Sequence, residues 1–381
     1  MHQNTLCVHA GTRNDRGEGV NNPIEPSAPF AYLDAKEPIY PRYFNTPGQD
    51  ALVERLCALE HAADGLLFSS GMAAISTALF SLLQQGDHAV LQRDIYGGTQ
   101  HLVTSQFERL GIAYDLVPAT SEAFAAAIRP ETRVLYIETP SNPLLRITDI
   151  AAAATLAREH GLVSIIDNTF ASPMNQNPID LGIDLVVHSG TKYLGGHSDL
   201  CCGVALGSHK LIERLLATAR TLGGSVNPLT CYLLERSLKT LALRIERQNS
   251  NAQQLAERLR NLPGIACVHY PGLPEHPDHD VARRQMRGFG GMIAVELADD
   301  APDTSRFQRH LRLIKPAISL GGVDTLICAP GLTSHRDLTP KERAEQGISE
   351  RLLRLSVGIE APDDLFYDLE QAVKEPLPEI L

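Results

Sequence analysis

The sequence predicts an α/β fold: a mostly parallel sheet between helices, followed by a smaller α+β domain. Three observations carry this. Short apolar runs (GLLFSSG, HAVLQ, VLYIETP, LVSIIDN, DLVVHS, CGVAL) alternate with helix-like segments, the pattern of a parallel sheet covered on both faces. A long charged segment (LLERSLKTLALRIERQNSNAQQLAERLRN) then leads to runs of a second composition, IACVHY, GGMIAVEL and RLLRLSVGIE. Finally, a length of 381 residues suits two or three domains and a core that needs no disulfides or metals.

Taken in order, residues 1–48 carry Gly, Pro and Asn throughout, and no helical period survives there. They read as an extended arm. From Gln49 the pattern turns helical, because Leu52, Leu56, Leu59 and Ala63 recur at spacings of 4, 3 and 4. A large domain is expected over 49–248. Within it, Ala-rich 151–160, closed by Gly161, is one covering helix. The charged helix of about 230–260 leads into a small α+β domain over 249–381.

Composition narrows the function. A net charge of −11 argues against a surface that tracks nucleic-acid phosphates. No stretch approaches the roughly 18 consecutive apolar residues of a membrane span. The start, MHQNTLCVHAGTR, has neither an apolar signal core nor an Arg-rich transit pattern, so a cytoplasmic protein is expected. The seven cysteines are scattered, with Cys201 and Cys202 adjacent and no CxxC pair, and read as reduced core thiols. His276 and His279 in EHPDHD, flanked by Pro and Gly, read as a solvated loop, so no metal is expected.

In a parallel sheet, ligands collect beyond the carboxyl ends of the strands. After LLF comes Ser69-Ser70-Gly71-Met72-Ala73-Ala74, where glycine permits close approach and a helix start offers free N–H groups to an anion such as phosphate. Taken alone, such a turn is often only packing. After LVSII comes Asp167, and after DLVV comes His188-Ser189-Gly190-Thr191-Lys192, the two charges lying 25 residues apart. A buried salt bridge is one reading. The other is a lysine that forms a Schiff base with pyridoxal phosphate, with Asp167 keeping the pyridine nitrogen protonated. Ser189 and Thr191 would then add hydroxyls for the phosphate. Neither GxGxxG after a strand nor GxxxxGK[ST] occurs, so dinucleotides and nucleoside triphosphates lose their usual signatures.

The run DLVVHSGTKYLGGHSD, residues 184–199, resembles the cofactor-lysine signature of the Cys/Met-metabolism (trans-sulfuration) enzymes that depend on pyridoxal phosphate. The resemblance continues in order through YPRYFNTP, SSGMAAI, DIYGGT, ETPSNP, IIDNTF, SLKTLALR, PAISLGGVDTL and LRLSVGIE, nearly the whole chain. It implies the aspartate-aminotransferase-like fold (fold type I). It also implies Lys192 as Schiff-base residue and proton shuttle, Asp167 at the pyridine nitrogen and Tyr96 stacked on the ring, where its phenol can assist proton transfer. Gly71, Met72, Ser189 and Thr191 are implied at the phosphate, and Asn142 at the ring 3′-oxygen. Tyr40 and Arg42 match the pair that in this family reaches the neighbouring subunit's phosphate, which implies a catalytic dimer within a homotetramer. Arg354 is implied to clamp the substrate α-carboxylate through a bidentate fork, helped by Ser319.

The reaction depends on the substrate pocket, since the family uses one electron sink for β-elimination, γ-elimination and γ-replacement. Members that handle cystathionine by γ-chemistry often have an acidic residue before the SLGG serine and an Arg five residues after the stacking Tyr; here Ile318 and His101 stand there. Methionine γ-lyases often place a Cys two residues after that Tyr, where this chain has Gly98. The Asp usual in the PxD stretch before the long helix is replaced, NPLTC giving Thr230 and Cys231. Ile318 leaves the distal charges of cystathionine less well paired. The expected activity is therefore a carbon–sulfur lyase resembling cystathionine β-lyase; a protonated His101 could bind a distal carboxylate and keeps cystathionine γ-synthase or O-acylhomoserine sulfhydrylase chemistry as the alternative, with cystathionine or methionine γ-lyase beside it.

Overall fold

The computed structural model describes residues 1–13, 19–336 and 338–374. They fall into two compact units: the described residues of 1–139 with 148–242, and those of 140–147 with 243–374. The division thus falls at Ala242, inside the charged stretch, and the short segment 140–147 joins the second unit.

The first unit is built on a seven-stranded sheet. Its strands are β1 (Asp64–Phe68), β2 (His88–Gln92), β3 (Ala113–Val117), β4 (Thr132–Glu138), β5 (Val163–Asp167), β6 (Leu185–Ser189) and β7 (Gly203–Gly207). They lie in the order β1-β7-β6-β5-β4-β2-β3. All pairs are parallel except those of β7, which runs antiparallel to β1 and β6. Alternate residues explain why the runs are apolar throughout. Val134, Tyr136, Ile165, Leu185 and Val187 pack with Ile75, Leu79 and Leu82 of the helix Gly71–Leu82, while Leu135, Ile137, Ile166 and Val186 pack with Ala153, Ala154 and Ala157 of the helix Ile150–Glu159. Each such aliphatic side chain withdrawn from water contributes about 1.5–3 kcal/mol.

The residues read as an arm hold more structure than expected. A helix spans Gln3–His9, fixed by the fully buried Arg55, whose guanidinium donates to the carbonyls of Cys7 (3.1 Å) and Ala10 (2.6 Å). The first long helix starts at Pro47, ahead of Gln49, because Thr46 and Gln49 form a capping box. The single charged helix also divides, into Pro228–Leu238 and Leu241–Leu259, with the Thr240 hydroxyl donating to the Ser237 carbonyl at the break. Strand β3 escaped the apolar-run reading because it is an edge strand of half-buried residues.

The second unit has a five-stranded sheet: β8 (Ile265–His269), β9 (Met292–Leu297), β10 (Lys315–Pro316), β11 (Leu326–Cys328) and β12 (Leu352–Ser356), in the order β10-β11-β12-β9-β8. It is antiparallel apart from β10–β11. The core-thiol reading holds for Cys7, Cys202, Cys231 and Cys328, but Cys201 and Cys267 are exposed, and no cysteine is in a disulfide. The solvated-loop reading of EHPDHD is corrected as well: His276 is buried, and His279 bonds through Nδ1 to the Pro271 carbonyl at 2.8 Å.

Two predictions follow from this packing. Gly203 pairs with Phe68 on one side and Ser189 on the other, and a methyl group added there would run into the Ser70 carbonyl. Gly203→Ala should cost about 1–3 kcal/mol, read as a lower urea midpoint; an unchanged midpoint would mean that the Ser70 turn yields freely. Burial also lowers His276 and His335 from 6.5 to about 4. The unfolded chain therefore takes up protons below about pH 6.5 that the folded one refuses. Stability should decline as pH falls from about 6.5 to about 4, and the double variant His276→Asn/His335→Asn should show a shallower decline in urea titrations.

Candidate active site

The carboxyl ends of β4, β5 and β6 bring the expected polar residues of the first unit together. Asp167 ends β5, paired with Glu138 at the end of β4 and with Val187 on β6. Its carboxylate is 6% exposed and accepts from the Thr169 amide at 3.0 Å. Burial pushes its pKa up, while the Thr169 hydrogen bonds and the charge of His188 pull it down. A carboxylate placed this way gains by facing a cationic partner.

Ser189 ends β6, and Lys192 follows in a turn where its amide donates to the Ser189 carbonyl at 3.1 Å. The helix Gly71–Leu82 begins against this turn. Ser70 caps it, accepting from the Ala73 amide at 3.1 Å. A Cβ on Gly71 would stand 2.9 Å from the Ser189 Cβ, so only glycine lets this helix start lie so close to Ser189. The first N–H groups of a helix have no partner within it and favour an anion.

Tyr96 begins the helix Gly97–Leu102 and is 44% exposed. Its backbone amide donates to the Glu138 carboxylate at 2.7 Å, a contact that no local pattern announces. Gly98 makes room for the ring, since a Cβ there would lie 2.5 Å from Tyr96 Cε1 and 3.1 Å from Met72 Sδ. Tyr96, Gly98 and Met72 are therefore neighbours.

Other expected residues have different engagements within this chain. The Thr191 hydroxyl, expected at the phosphate, accepts from the Cys202 amide at 3.1 Å and donates to its carbonyl at 3.3 Å. Arg42 donates to the Arg220 carbonyl at 2.5 Å and lies 5.3 Å from the Tyr43 ring. Tyr40 is 41% exposed, and His101 is exposed on its short helix.

In the second unit Arg354 lies in the buried strand β12, not on the surface where an isolated arginine usually sits. Nη1 donates to Asn142 Oδ1 at 2.8 Å and Nη2 to the Ser319 carbonyl at 3.3 Å. Its Nε is buried without a partner among the described residues, an arrangement suited to receiving a carboxylate. Ser319 holds a left-handed φ of 101°. Ile318, directly before it, is 73% exposed. His335, missed in the sequence, is kept neutral by burial and by the charge of Arg354, so it adds no second cation here.

Pyridoxal phosphate fits the residues of the first unit. A buried carboxylate suits its ring nitrogen, a glycine-lined helix start suits its phosphate, and Lys192 follows the adjoining strand. Residues 4–374 match the family described as Cys/Met metabolism PLP-dependent enzyme. The chain is 41% identical to a cystathionine beta-lyase of Lactococcus lactis subsp. cremoris, over 97% of this chain and 98% of that protein. It is 43% identical to an L-methionine gamma-lyase of Pseudomonas putida, over 97% and 96%. The solved cystathionine gamma-lyase of Lactobacillus plantarum, complexed with L-serine, superposes with a TM-score of 0.94 at 40% identity, covering 98% of both chains. The chain accordingly has the fold of these enzymes and belongs to the Cys/Met-metabolism family of enzymes that depend on pyridoxal phosphate.

Proposed function

We propose that this enzyme is a carbon–sulfur lyase that acts on cystathionine or a similar sulfur L-amino acid by β-elimination, releasing a thiol, a keto acid and ammonia. The observation that carries the choice of elimination is Ile318, an exposed apolar side chain beside Ser319. It offers no charge for the distal groups of cystathionine, which γ-chemistry in this family often pairs with an acidic residue at that place.

When bound, the cofactor supplies an electron sink conjugated to the substrate Cα. Lys192 Nζ would hold it covalently and, when free, would be the base for the substrate Cα proton. Asp167 would keep a proton on its ring nitrogen, and Tyr96 would lie against the ring, its phenol placed to assist proton transfer. The amides of Gly71 and Met72, with Ser189, would hold the phosphate, and Thr191 would join them by turning its hydroxyl proton from the Cys202 carbonyl. Asn142 gives its Oδ1 to Arg354, which leaves its Nδ2 to donate to the ring 3′-oxygen. Arg354 clamps the substrate α-carboxylate with the help of Ser319. Tyr40 and Arg42 serve the site of a neighbouring copy in a homotetramer built as a dimer of dimers, in the cytoplasm. No helix among the described residues is long and apolar enough to cross a membrane.

A second reading rests on His101, whose exposed imidazole could meet a distal carboxylate when protonated and so favour γ-replacement on an activated homoserine. Incubating the holoenzyme with L-cystathionine separates the two. Pyruvate is the expected keto acid, whereas 2-oxobutyrate would overturn β-elimination; consumption of an added thiol with an O-acylhomoserine would show replacement. Lys192→Ala should abolish turnover, and a variant with near-normal rate would overturn the proton-transfer role.

A further inference from the structure

A buried polar group beside Asp167 takes no part in the chemistry described above. Glu60 is the last residue of the helix Pro47–Glu60, with His61 next in the left-handed region at a φ of 61°. A carboxylate at a helix C-terminus faces the negative end of the dipole, and this one is fully buried. Three side chains meet it. Asn168 Nδ2 donates to Oε1 at 2.8 Å, Asn177 Nδ2 reaches Oε2 at 3.5 Å, and His188 Nε2 lies 2.5 Å from Oε1. Against an ionised carboxylate, which only accepts, His188 Nε2 is the donor, and with both ring nitrogens protonated the two form a buried ion pair.

The positions of these partners give the group its significance. Asn168 directly follows Asp167, and its amide donates to the Val187 carbonyl at 3.0 Å. His188 directly follows Val187, the residue paired with Asp167 across β5 and β6. Glu60 thus holds both chain neighbours of the Asp167–Val187 pair at once. Gln176 extends the hold, its Nε2 donating to Asn168 Oδ1 and to the Thr139 carbonyl, each at 2.8 Å. The charge of His188 favours the Asp167 anion, whereas Tyr136 and Glu138 on β4, which also lie near that carboxylate, supply no positive charge.

We propose that Glu60 and His188 form a positioning pair for Asp167: they fix the ends of β5 and β6 and keep positive charge beside the Asp167 carboxylate, so that it stays anionic against the cofactor's ring nitrogen. This rests on the cofactor and not on the choice between elimination and replacement, so the keto acid released from cystathionine has no bearing on it.

The test uses holoenzyme loaded with pyridoxal phosphate that is isotope-labelled at the ring nitrogen, whose NMR shift separates the protonated from the unprotonated ring. Glu60→Gln keeps the shape and removes the charge that holds the His188 proton. The ring-nitrogen signal should move toward the unprotonated position, and kcat should fall about tenfold with KM changed less than about twofold. His188→Gln should do the same, and the double variant should be no worse than either single one, as befits groups acting as a unit. Where Glu60→Gln fails to fold, His188→Gln carries the test, because glutamine keeps a donor for Glu60 and loses only the charge. A ring-nitrogen signal left at the wild-type position in a folded single variant would overturn the proposal, whatever that variant does to thermal stability.

Discussion

Burying an ionised carboxylate at the end of a central strand is costly unless the surroundings replace the water it loses, and much of the first unit is organised around that requirement at Asp167. The strands beside β5 are parallel to it, so their carboxyl ends arrive together and deliver Glu138, Val187 and Ser189 to one edge. Helices on both faces exclude water from the strand itself. The polar atoms gathered there are Thr169, which donates to Asp167 directly, and the Glu60 group one residue away on either strand. The site is the place where the alternation of apolar strands and covering helices stops and buried charge becomes tolerable.

The second unit meets the same difficulty with the opposite sign. Arg354 stands in a strand whose other residues are buried, and its neighbours satisfy Nη1 and Nη2 but leave Nε without a partner. Complete satisfaction would make a stable structural cation of little use to a ligand. Incomplete satisfaction leaves a buried donor that would gain from an arriving carboxylate, the role proposed for it above. His335 beside it is held neutral by burial first and by the charge of Arg354 second.

Much of this was legible in the sequence, where local pattern and local chemistry coincide. Lys192, Asp167 and Gly71 each follow a run of apolar residues, and the run itself announces the strand end. What escaped notice depends on contacts between segments far apart in the chain. Gly203 reads as an ordinary strand glycine until the Ser70 carbonyl is seen to occupy the space of its missing side chain. Glu60 reads as one acidic residue at the end of an amphipathic helix, and its meeting with His188 exists only in the folded unit. The helix Gln3–His9 has too few residues to show a period, and it is held by Arg55 rather than by its own propensity. Strand β3 lacks the apolar run because an edge strand need not be buried on both sides.

The same division between rigid and peripheral residues bears on which reaction the enzyme performs. Asp167, Ser189 and Gly71, which would hold the cofactor, are fixed by strand ends, a helix start and buried hydrogen bonds, so they are tied to the fold itself. Ile318 and His101 are exposed and carry no such burden. A difference of about 1–3 kcal/mol in how a pocket receives one substrate over another is enough to change specificity by tenfold or more, and exposed side chains can supply that without disturbing the core. It follows that one scaffold can serve relatives named as β-lyases, γ-lyases and γ-synthases, and on the reading proposed here exposed positions such as Ile318 and His101 would carry the choice among them.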